Sequence, residues 1–115
     1  MKAGKIWGDT ENIFSNGIVS VHFLNINKGG YCSEHQHAQK ANIFFVIRGE
    51  LEITRWDNGY ELIVVLTPTN PTVRVEPGAW HRFRAFTDVK CIEVYDYCYD
   101  GIDIERREPG GLNEI

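Results

Sequence analysis

The chain has 115 residues, 43% of them hydrophobic, with a formal net charge of −4. That length builds one hydrophobic core and not two, and interspersed acidic and basic residues leave no basic stripe for a nucleic-acid partner. No apolar run approaches the roughly 18 residues that cross a bilayer, residues 1–9 lack the apolar segment of a signal peptide, and Cys32, Cys91 and Cys98 are odd in number and far apart, so a single cytoplasmic domain with free thiols is expected.

Residues 1–17 are polar and glycine-punctuated, which predicts an arm or a short edge strand. Residues 18–26 alternate as a strand, with Val19, Val21 and Phe23 on one face and Ser20, His22, Leu24 and Ile26 on the other. Residues 25–30 end in Gly29-Gly30 and read as a turn. The apolar run 43–47 reads as a buried strand stopped by Gly49. Phe44 and Val46 share the parity of Asn42 and should line the interior, with Phe45 and Ile47 packing on the opposite face. Residues 50–56 form a half-exposed strand, Asn58-Gly59 a tight hairpin turn and residues 61–66 the return strand. Pro68 and Pro71 break the pattern, since proline cannot donate into a central ladder. Residues 72–75 make a short β-branched strand, and Pro77-Gly78 turns the chain toward His81. The last long strand is 89–97, with Cys91, Glu93, Tyr95 and Tyr97 on one face, and 99–115 is a polar tail. Short strands with frequent turns and almost no helical periodicity predict an all-β sandwich or barrel.

The chemistry concentrates in histidines. His35 and His37 are separated by one residue, so an extended backbone points both imidazoles to the same side. Imidazole suits zinc, copper, iron and nickel, and a third histidine, His81, follows the 77–78 turn. The fourth, His22, reads as an ordinary core or surface histidine. Glu93 either faces solvent or faces the interior, where an unpaired carboxylate would be costly. Arg82 and Arg84 are exposed strand residues or anion clamps. Phe44, Val46, Phe83 and Trp80 are candidate wall residues, and Cys32 is either a small turn residue or a reactive thiol.

The run Gly29, His35-x-His37, Asn42, Gly49 resembles the first motif of the cupin superfamily, and Glu76-Pro77-Gly78-Ala79-Trp80-His81 resembles its second. The two motifs and intervening strands span about residues 19–96. The resemblance implies a single-domain cupin jelly roll, a double-stranded β-helix barrel of the RmlC-like kind, with a core over about residues 19–97. It implies one divalent metal ion (iron, manganese, nickel or zinc) held by His35, His37 and His81, and a homodimer. The sequence departs from the family at Asn42, where glutamate is usual. Asparagine offers a neutral oxygen, so Asn42 is a weak fourth ligand, a neighbour behind the ligands, or the mark of a pocket that has lost its metal. The lost glutamate is also the usual base, which leaves Glu93, Tyr95, Tyr97 and Cys91 as ionisable groups that could face the interior, with Glu93 and Tyr95 the catalytic candidates. Two functions fit the resemblance: a metal-dependent enzyme of dioxygenase or isomerase type acting on a small polar metabolite, carbohydrate-like or a carboxylate, or a non-catalytic sugar or small-molecule binder. Neither calls for a nucleic-acid or membrane partner.

Overall fold

The computed structural model describes residues 2–97; Cys98 and the 99–115 tail lie outside the described residues. Every element in that span is a strand: β1 (Lys2–Lys5), β2 (Gly8–Ser15), β3 (Val19–Ile26), β4 (Ala41–Arg48), β5 (Leu51–Asp57), β6 (Tyr60–Leu66), β7 (Thr72–Val75), β8 (Trp80–Ala85) and β9 (Val89–Asp96). They form two antiparallel sheets, one of six strands ordered β1-β2-β3-β9-β4-β7 and one of three ordered β6-β5-β8. The region expected to be an arm or a short edge strand is a β1–β2 hairpin that pairs along β3 from Gly8↔Ile26 to Ser15↔Ser20 and widens the larger sheet, with β1 at its edge.

Strand alternation decides the core. Leu24 and Ile26 from β3, Phe44 and Val46 from β4, Val89 and Cys91 from β9 and Val75 from β7 meet Leu51, Ile53, Leu66, Phe83 and Ala85 of the smaller sheet. The face of β3 that carries Leu24 and Ile26 is therefore the inner one, and it also carries Ser20 and His22. At Asn58-Gly59 both residues have positive φ, 50° and 81°, the conformation that a two-residue hairpin between β5 and β6 requires. Gly49 (φ 92°) closes β4, where an added Cβ would strike the Asp88 carbonyl.

Three expectations need correction. The apolar run 43–47 is buried on one face only, because β4 alternates: Phe44 and Val46 are inside, whereas Phe45 and Ile47 are 44% and 45% exposed on the outer face. Trp80 does not line the interior. His81, Phe83 and Ala85 take the inward positions of β8, so Trp80 must point outward, and it is 46% exposed. Tyr97 also falls outside, beyond the end of β9.

Candidate metal centre

Residues 31–37 are an extended loop rather than a strand, held against β8 by backbone hydrogen bonds. His35 and His81 exchange a reciprocal pair, His35 N–H to the His81 carbonyl (3.0 Å) and His81 N–H to the His35 carbonyl (2.8 Å). Two residues on, Gly78 N–H donates to the His37 carbonyl at 2.7 Å. The 77–78 turn, with Gly78 at φ 83°, thus clamps the first histidine pair onto the third. Directly opposed residues of an antiparallel pair project side chains to the same face, so this one bridge brings together imidazoles 46 positions apart in the chain.

Ring centroids lie 4.4 Å apart for His35–His81, 5.0 Å for His35–His37 and 5.6 Å for His37–His81. One nitrogen from each ring falls within 4.8 Å of the other two, a spacing that could hold a metal ion. The remaining hydrogen bonds specify which nitrogen. His35 Nδ1–H donates to the Ser33 carbonyl (2.7 Å) and His81 Nδ1–H to the Ala79 carbonyl (3.0 Å). A carbonyl only accepts, so both Nε2 atoms carry free lone pairs. This is the arrangement in which metal-binding histidines are usually held. His37 Nε2 and His81 Nε2 are buried without a hydrogen-bond partner. Burial and the neighbouring Lys40 and histidines push the His37 pKa down to about 4, and burial lowers that of His81 as well. Three convergent imidazoles, two of them with unpartnered buried nitrogens, are a donor set that suits a divalent cation.

Behind the histidines lies a polar network on β4 and β9. Asn42 and Glu93 face the interior, 1% and 7% exposed, and Asn42 Nδ2 donates to Glu93 Oε2 at 2.8 Å. The other end of the amide, Asn42 Oδ1, is buried with no partner. Burial raises the Glu93 pKa, partly offset by the Asn42 hydrogen bond and the Tyr95 side chain. Tyr95, opposite Asn42 in the ladder, has its hydroxyl kept protonated by burial and by Glu93. Its ring touches that of His37, with centroids 5.7 Å apart. Of the sequence candidates, His35, His37, His81, Asn42, Glu93 and Tyr95 therefore share one end of the interior. Arg84 stays at the surface, paired with Glu52. Cys32 packs beside the core, its thiol accepting from Phe83 N–H and pushed up to about 11 by burial, so it carries little thiolate.

Sequence reasoning missed three neighbours. Lys40 sets its ammonium 3.7 Å from the Tyr95 ring centroid and, with Gln36, His37, Gln39 and Tyr97, lines an open cleft of about 300 Å³ at the edge of the cluster. Its parity with Asn42 was the available signal. Arg55 stands opposite His81 in the β5–β8 ladder and donates to the Arg74 carbonyl. His22 is inward and half-buried, 4.8 Å from the Tyr95 ring and hydrogen-bonded to Ser20 Oγ. Its alternation with Leu24 and Ile26 could have placed it there.

The structure is two facing antiparallel sheets with, at one end of their interior, a three-histidine cluster that could hold a metal ion. A family profile for the cupin domain matches residues 22–95, and the chain belongs to that family. No curated protein matches it in sequence. Among solved structures it is similar to oxalate decarboxylase of Bacillus subtilis, a protein with Mn(II) centres, at 15% identity and TM-score 0.74, covering 84% of this chain and 27% of that one. The formate complex of Lactobacillus farciminis oxalate decarboxylase aligns at 18% identity and TM-score 0.74, covering 84% and 30%. KdgF from Halomonas sp. aligns at 15% identity and TM-score 0.68, covering 80% and 82%. The chain thus spans about a quarter to a third of the two decarboxylases' length. These likenesses show the fold.

Proposed function

We propose that this protein is a metal-dependent cupin enzyme that takes a small acidic metabolite, a carboxylate or carboxylated sugar, at the three-histidine end of its barrel. The observation that carries the reading is the convergence of His35, His37 and His81, two of them with Nδ1–H tied to backbone carbonyls and two with buried Nε2 atoms lacking any partner. These nitrogens would hold a divalent ion, iron, manganese, nickel or zinc, with Asn42 beside them. When bound, the ion would act as a Lewis acid toward a ligand oxygen. Imidazoles and an amide bring no negative charge, so an anionic ligand would complete the site. Lys40, with no carboxylate within ion-pair distance among the described residues, would attract that anion at the cleft. The similarity to enzymes named for oxalate supports a carboxylate. A non-catalytic binding pocket is the second reading, favoured by Asn42 standing where the family's usual carboxylate would be.

A homodimer fits the same proposal. Phe45 and Ile47 on the outer face of the six-stranded sheet, and Ile13 and Phe14 on β2, leave apolar surface that a second copy would cover.

The test is metal analysis followed by ligand titration. Wild-type protein should carry one metal ion per chain, His37→Ala should carry none, and His22→Ala should keep it. Lys40→Ala should weaken oxalate binding about 5- to 10-fold without changing metal content, the effect of one charge at a partly solvated site. Metal retained in His37→Ala, or lost in His22→Ala, would refute the assignment. Turnover of the bound acid separates enzyme from binding module.

A further inference from the structure

An asparagine facing a cation has two unlike ends, and only the oxygen is a donor to metal. What decides the end presented is the partner held by the other. Here the partner is Glu93: Asn42 Nδ2 lies 2.8 Å from Glu93 Oε2, and a carboxylate oxygen accepts from the NH2 end. With the nitrogen tied to β9, Oδ1 is left buried and unpartnered. A buried carbonyl oxygen without a partner is costly unless something meets it. Glu93 cannot easily turn away. Its strand position is inward, set by Val89 and Cys91 on the same face, and it sits opposite both His22 and Phe44 in the two flanking ladders. The pair borders the cluster: Tyr95, which pairs with Asn42 across the ladder, touches the His37 ring.

We propose that Glu93 is a positioning residue that locks the Asn42 amide with Oδ1 turned to the histidine cluster, making Asn42 the fourth protein donor to the cation. The carboxylate that the family usually places among the ligands stands here one hydrogen bond behind them, on a different strand. The inference rests on the metal reading above.

The arrangement predicts a reciprocal exchange. Glu93→Gln replaces the carboxylate by an amide that no longer dictates which end of Asn42 points inward. Asn42→Glu alone sets two carboxylates against each other. Asn42→Glu combined with Glu93→Gln restores one donor and one acceptor with the roles reversed. The experiment is titration of chelator-stripped proteins with Mn2+ alone, followed by calorimetry, with thermal melts of the stripped proteins to confirm folding. Glu93→Gln should bind Mn2+ about 10- to 100-fold more weakly than wild type, the usual effect of losing a group that orients a ligand. The double variant should recover wild-type affinity or exceed it, and Asn42→Glu should fall below the double variant. Glu93→Gln within threefold of wild type, or a double variant no tighter than Glu93→Gln, overturns the proposal while leaving the three-histidine site standing. Should Glu93→Gln fail to fold, the double variant decides alone: wild-type affinity supports the lock and weaker affinity overturns it. Wild-type protein that takes up no Mn2+ overturns both readings.

Discussion

The two ends of the barrel interior are lined by the same strands and do opposite things. At one end β3 presents Leu24 and Ile26, β4 Val46, β5 Leu51 and Ile53, β8 Phe83 and Ala85, and β9 Val89 and Cys91, all buried and apolar. At the other the same strands present His22, Asn42, Arg55, His81 and Glu93. Phe44, opposite Glu93 and edge-on to Phe83, sits on the border. Each strand changes character within one or two inward positions, and the ladders align those changes. The lesson is a division of labour: one end supplies stability by burying apolar area, while the other holds buried polar groups that cost stability.

Truncation at the apolar end should break the contrast most visibly. Leu24→Ala removes a fully buried side chain, beside Cys91 in the β3–β9 ladder, and should cost about 2–5 kcal/mol, measured by chemical denaturation. His81→Ala, at the polar end, should cost the metal-free protein far less while abolishing metal uptake. Equal losses of stability from the two would mean that the ends are not separate in role. A finer probe is Cys91→Ser, which places a hydroxyl at the apolar end, one inward position from Glu93. It should destabilise by about 1–3 kcal/mol, as expected for a polar group lacking a partner, with metal affinity unchanged. The smallest effect should come from pH. The His37 pKa is about 4 in the folded chain against an ordinary 6.5. Between those values the unfolded chain binds the proton and the folded chain does not, so stability falls as pH falls through that window. Thermal melts of stripped protein should therefore show Tm dropping from about pH 6.5 downward, a modest drop because water reaches the His37 ring. Melts that are flat across this range would remove the charge-averse character assigned to the polar end.

Sequence alone determined a great deal here. Alternation placed the strands from β3 onward and sorted most of their residues onto two faces, because a period of two admits only two. It also placed the turns, since Asn58-Gly59 and Pro77-Gly78 take backbone conformations most residues resist. The histidine spacing and the two motifs pointed to one site. Tertiary structure decided what alternation leaves open. The exposure of Phe45 and Ile47 depends on whether a second layer covers the outer face, which no local pattern records. The inward turn of Glu93 followed from strand parity only once Cys91 was seen in the core, and its hydrogen bond to Asn42 spans 51 positions. Lys40 and Arg55 entered the neighbourhood of the histidines only because two sheets and a loop close on one another. Pairing across strands is set by the global register, and residues distant in the chain become chemical neighbours there without any trace in their local sequence.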